Sequence, residues 1–198
     1  MLGLLSYLAV VVIVMTSLFL LISQNWRWNI IALAVQYLAM MILTAMVWPI
    51  GMAAVKLIAG WMAGAMLSAS QPAPELVEDP QLVGSAVLFR FLAAMLVWIL
   101  VFTIMPVFIS MLPLPAPLVI GALLLIGMGL LHLGMTTRPL RVLIGLLTTL
   151  SGFELIYAAV ENSILVTGLL AIVTLGLALV GAYLLETLSR AESGEEVS

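Results

Sequence analysis

The sequence predicts an all-α membrane protein, a bundle of about seven transmembrane helices with its amino terminus outside and its carboxyl terminus in the cytoplasm. Three observations carry this. First, 65% of the 198 residues are hydrophobic and only 8% charged, with a mean hydropathy of +1.34, whereas a soluble domain carries about 25% charged residues. Second, apolar runs of roughly 20 residues, the length that crosses a hydrocarbon core, recur along the chain between Pro, Gly or polar clusters. Third, a seven-span reading gathers all five arginines on one side of the membrane. The positive-inside rule makes that side cytoplasmic, and an even number of spans would scatter the arginines over both faces.

The spans are expected near 2–23, 28–48, 50–69, 84–112, 116–135, 139–160 and 163–187. The first has no basic residue ahead of it and no small-residue cleavage pattern behind it, so it reads as a retained helix and not as a removable signal. "SQNWRWN", with Arg27, joins it to the second. Only "WPIG" separates the second from the third, where Pro49 stops one helix and starts the next. The longer "SQPAPELVEDPQLVG" leads to the fourth, which begins near Arg90 and contains Pro106, a residue expected to kink it. "PLPAP" and "TTRPLR" bound the fifth, and the short "ENS" lies between the sixth and seventh. The chain thus reads as a single membrane domain over 1–187, followed by an acidic cytoplasmic tail, 188–198, expected to be solvated and disordered. Trp26, Trp28 and Trp48 fit an interfacial aromatic belt, Gly60 and Gly64 a small-residue packing pair, and Gln36 a bond to a neighbouring helix.

Catalytic chemistry finds little support. Cysteine is absent, which removes thiolate-held clusters, zinc fingers and disulfides. The one histidine, His132, stands at the cytoplasmic end of the fifth span and reads as an interfacial residue; the one aspartate, Asp79, lies in a loop. No paired haem ligands, metalloprotease histidines, buried aspartate pair, serine elbow or phosphate-binding glycine loop occurs. No catalytic residue, cofactor, metal or nucleic-acid partner is expected, and membrane lipid is the immediate environment.

Three ionisable residues interrupt the apolar spans. Arg90 is close enough to its helix end to snorkel to the headgroups. Lys56 in "MAAVKLIAGWMAG" and Glu154 in "TTLSGFELIYAAVENSIL" are flanked by apolar turns on both sides, and residues so placed face a bundle interior or a hydrated cavity. The candidate roles for Glu154 are an ion relay and a structural hydrogen bond or ion pair. Helical rise brings the two residues to one depth. Thirteen residues from Arg141 place Glu154 roughly 20 Å from the cytoplasmic side and about 10 Å from the outer end at Glu161. Six residues from Ile50 place Lys56 about 9 Å from that same outer surface. A direct or water-mediated Lys56–Glu154 interaction is therefore expected, although adjacency of the third and sixth spans does not follow from the sequence.

The segment "GFELIYAAVE" at 152–161 resembles the middle helix of the K subunit of NADH:quinone oxidoreductase (complex I), and "LLAIVTLGLALVGAYLL" at 169–185 resembles that subunit's last helix. Over most of its length the chain resembles the membrane component E family of hydrogenase-4-type complexes through "TSLFLLISQNWRWN", "AAVKLIAGWMAGAML" and "RPLRVLIGLL", with a K-like part at about 116–187. The resemblance implies a small, cofactor-free subunit of an energy-converting oxidoreductase in the inner (plasma) membrane, beside larger antiporter-like and redox subunits, that assists assembly and proton or sodium translocation. It matches Glu154 to the K-type membrane carboxylate and Lys56 to the component E lysine. Two departures accompany it. Ile172 stands where the K subunit has a second carboxylate, and anchoring on Arg141 and Gly145 puts the component E glutamate at Leu150, one turn before Glu154. A purely structural assembly subunit and a stand-alone small-solute transporter are the alternatives; the transporter calls for inverted repeats and broken helices, and only one span expected to be Pro-kinked and no convincing repeat are present.

Overall fold

A computed structural model describes residues 2–71, 84–111, 114–161 and 163–195. Among them are seven α-helices and no strand: α1 (Leu2–Ile22), α2 (Trp26–Thr44), α3 (Ile50–Ala69), α4 (Gly84–Met111), α5 (Ala116–Gly134), α6 (Pro139–Val160) and α7 (Ile164–Glu195). Each includes a stretch long and apolar enough to cross a membrane. A helix satisfies its own backbone polar groups, so it is the form in which a single apolar segment can lie in lipid.

The ends follow local chemistry. Asn25 caps α2, its side chain accepting from the Arg27 backbone N–H at 3.0 Å, and the Arg27 guanidinium lies over the Trp26 ring. Proline opens α6 at Pro139, where a missing N–H costs nothing. α2 begins at Trp26 and ends at Thr44, earlier at both ends than the expected 28–48, with a tight turn over Ala45–Val47 before Pro49 caps α3. Pro106 lies within the uninterrupted span of α4. α7 continues to Glu195, beyond the expected end at 187, so 188–195 are helical and not an irregular tail. The acidic loop with Glu75, Glu78 and Asp79 lies outside the described residues.

α5 and α6 form the centre of the bundle, and glycines set how closely they approach. A Cβ on Gly129 would collide with Thr149, and one on Gly152 with Ile126 and the Ala122 carbonyl. Without a hydrophobic driving force between helices in lipid, this close backbone packing is what holds them together. α1 packs on α2 and α5, α2 on α3 and α6, and α7 on α3 and α6. α4 lies against α5 and α1 and exposes most of its apolar surface, including Phe89, Leu96 and Phe102. Gly60 fulfils its expected packing role, with the Tyr37 ring of α2 lying where a Cβ would project.

Candidate functional site

Lys56 on α3 and Glu154 on α6 meet inside the bundle. The Lys56 Nζ lies 2.8 Å from Glu154 Oε1, and the two side chains are 2% and 1% exposed. The sequence-derived depth match therefore becomes a direct contact. α3 packs chiefly against α2 and α7, so the lysine spans the gap to α6 with its own four-carbon stem.

The carboxylate end of the pair is held by a neighbour. Thr174 on α7 donates to Glu154 Oε1 at 3.2 Å, a bond its hydroxyl shares with the Leu170 carbonyl at 3.0 Å. Tyr37 on α2 lies over Gly60, one turn beyond Lys56, and is within electrostatic reach of Glu154. Its buried hydroxyl is beside Ser151 yet has no hydrogen bond of good geometry; the Ser151 Oγ donates to the Leu147 carbonyl at 2.7 Å. Apart from the Glu154 contact, the Lys56 ammonium has no hydrogen-bond acceptor. An ammonium carries three donors, so this one is under-satisfied where desolvation is expensive. Three helices, α3, α6 and α7, thus meet at a single carboxylate oxygen, with Tyr37 of α2 nearby.

The arginines form a second polar centre at one end of the bundle. Arg141, only 5% exposed, donates to the carbonyls of Leu20, Leu21 and Ser23 at 3.3, 3.1 and 2.9 Å, and to Gln24 Oε1 at 3.2 Å. Those carbonyls are the unsatisfied acceptors at the end of α1. Arg90 adds a 2.7 Å bond to the Leu21 carbonyl; it reaches the helix end as expected, but by capping another helix. Beside these residues a cavity of about 200 Å³ is lined by Gln24, Arg90, Thr136, Thr137, Arg138 and Arg141. His132, 4% exposed, is enclosed at this end and is not an interfacial side chain.

At the opposite end the Trp48 indole donates to the Glu161 carbonyl at 3.1 Å. This ties the α2–α3 corner to the end of α6 and fixes the common level from which both Lys56 and Glu154 are reached. Trp48 is buried, unlike a headgroup-belt tryptophan, whereas Trp28 is exposed as that belt requires. Gln36 is also buried, but neither of its side-chain polar atoms has a partner, so the expected bond to a neighbouring helix is not made. Ile172 faces outward at 67% exposure, so a carboxylate at that position would not reach Glu154.

The sequence reading missed Thr174, Tyr37 and the burial of Arg141. For Arg141 a signal existed: it lies seven residues before Thr148, two turns away on one face of the same helix. For Thr174 and Tyr37 the signal is tertiary. Among the described residues no group of three or more metal-ligating side chains occurs. No protein-family model, curated protein or solved structure matches the chain.

Proposed function

We propose that this chain is a small membrane subunit of a complex-I-like or hydrogenase-type energy-converting oxidoreductase, in which Glu154 is a protonatable relay group and Lys56 tunes its proton affinity. The observation that carries the reading is the buried Lys56–Glu154 pair. Replacing a buried ion pair by apolar residues is often neutral or stabilising, and intramembrane ionisable residues mark ion pathways and proton relays. The pair also favours a proton over sodium as the transferred ion. The Lys56 ammonium already occupies a cation's place on Glu154, and protonating the carboxylate or deprotonating the ammonium needs no other cation to enter.

The five arginines belong to the cytoplasmic side in this reading, with the amino terminus outside and the plasma membrane as location. The extensive apolar faces of α4 and α7 then divide between lipid and the larger antiporter-like and redox subunits. A structural reading also has an observation in its favour: one Glu154 oxygen links α3, α6 and α7, which a packing device would do as well.

Affinity purification of the tagged chain after gentle extraction tests the proposal. The expected result is co-purification of antiporter-like and redox subunits, and loss of redox-coupled proton movement in membranes lacking the chain. A solitary chain that moves ions in vesicles on its own would replace this reading with a transporter.

A further inference from the structure

Buried polar atoms without a protein partner are rare, and each needs water or a reason. Here several of them are distributed unevenly along the bundle. Ser17 Oγ on α1, Asn29 Oδ1 and both Gln36 side-chain polar atoms on α2, and Thr148 Oγ1 on α6 are buried with no hydrogen-bond partner. The same is true of Arg141 Nε at the arginine-lined cavity, of His132 Nε2 on the neighbouring turn of α5, and of Tyr37 Oη near the pair, where the Lys56 ammonium has no acceptor besides Glu154. Each of these residues is less than a tenth exposed.

They are graded in depth. Measured from the arginine end by helical rise, Asn29 lies about 5 Å in, Ser17 about 8 Å, Thr148 about 14 Å, Gln36 about 15 Å and Glu154 about 22 Å. Ser17, Gln36 and Thr148 also lie among the interior residues of their helices. Ser17 lies between Ile13 and Leu20 on α1, Gln36 between Leu33 and Met40 on α2, and Thr148 between Ile144 and Leu155 on α6. Leu20, Leu33, Met40 and Ile144 pack in one apolar cluster, and Ile13, Leu43 and Leu155 in the next one along. Beyond the pair the pattern changes. Thr44 donates to the Met40 carbonyl at 2.9 Å, Thr167 to Ser163 at 3.0 Å, and Trp48 to Glu161. Leu43, Leu118, Leu125 and Leu155 fill the intervening core.

We propose that water enters the bundle from the arginine end alone, through the cavity at Gln24, Arg90 and Arg141 and along the Ser17–Gln36–Thr148 seam, and so connects the Lys56–Glu154 pair to one side of the membrane. This rests on the relay reading for its purpose but not for its test. A proton delivered along the seam by a hydrated proton adds to the Glu154 carboxylate, leaves water behind and breaks the ion pair; its return to water restores the carboxylate and the pair. Transfer onward to the other side requires a different arrangement or a neighbouring subunit, because the core beyond the pair is apolar or self-satisfied.

The chain contains no cysteine, so single-cysteine variants report access without background. Ser17→Cys and Thr148→Cys change little in size, and Thr137→Cys, exposed at the mouth, identifies the arginine side. In the assembled protein, a small membrane-impermeant thiol reagent should label Cys variants at 17 and 148 from the side that labels position 137, and from that side only. Thr44→Cys should remain unlabelled from both sides. Failure of positions 17 and 148 to label while 137 labels, or labelling of 17, 148 or 44 from the opposite side, overturns the one-sided path. A path that labels as expected while Glu154→Gln leaves proton movement intact would instead remove the relay reading.

Discussion

Two buried cations in this molecule are satisfied in different ways. Arg141 donates to three backbone carbonyls and a glutamine oxygen, all uncharged, with a rigid fork that matches the frayed end of α1. Lys56 has one short contact to a carboxylate and nothing else. Arginine holds its charge under all ordinary conditions and suits a permanent staple, whereas an ammonium is a point charge that can surrender its proton when buried. The difference separates a group that fixes the fold from a group able to change state. It also explains why the arginine centre lies at a helix terminus, where free carbonyls exist, and the lysine centre lies mid-bundle, where the backbone offers none.

The comparison breaks most sharply at Arg141. Arg141→Leu removes four donated bonds and leaves the Leu20 carbonyl and Gln24 Oε1 without the donor they now have, while Leu21 keeps Arg90 and Ser23 keeps Asn29, so a loss of about 3–5 kcal/mol is expected from several charge-assisted bonds lost together. Arg141→Lys should recover little of it, because one ammonium cannot serve four acceptors spread over the α1–α2 corner. Thermal unfolding in detergent, followed by protease resistance of α1 and α6, measures both variants. A lysine variant as stable as the parent would show that charge and not the fork holds this end.

Next in size is the pair itself. Lys56→Met leaves a buried carboxylate with Thr174 as its remaining donor and should cost about 3 kcal/mol unless the carboxyl takes up a proton. The Lys56→Met, Glu154→Gln double variant should be more stable than the sum of the single losses predicts, with a coupling of about 1–3 kcal/mol. Additive losses in unfolding experiments would mean that the two side chains do not interact in the membrane.

How much of this was legible in the sequence differs between the two centres. The seven spans follow from apolar runs and their Pro, Gly and polar boundaries, and the depth of Lys56 against Glu154 follows from helical rise alone. The partners Thr174 and Tyr37 do not follow, because α7 and α2 are apolar around much of their circumference. In lipid both the buried and the exposed faces of a helix are apolar, so periodicity does not say which residues turn inward. Trp48 illustrates the same limit: an indole near a span end reads as an interfacial anchor, and only the packing of α6 beside the α2–α3 corner turns it into an interior donor. Gln36 shows the converse, a polar residue whose burial was legible but whose lack of a protein partner was not.

Thr174→Val tests the support around the carboxylate. It removes a hydrogen bond whose donor is already shared with Leu170, so the expected destabilisation is about 1 kcal/mol, measurable as a shift in the unfolding midpoint. The smallest effect is expected at the exposed Glu186–Arg190 pair, one turn apart on α7 with a 2.5 Å contact. Glu186→Gln should change stability by no more than about 0.5 kcal/mol. A larger loss there would indicate that the end of α7 is covered by a partner.

The most direct measurement is redox-coupled proton movement in membrane vesicles carrying Glu154→Gln, normalised to the amount of assembled complex. Glutamine keeps the size and polarity of the side chain but cannot exchange a proton at physiological pH. A relay at Glu154 predicts that, in the complex that assembles, proton movement per redox turnover is largely lost. Assembly and proton movement both at the parental level would contradict it and leave the Lys56–Glu154 pair as a packing device.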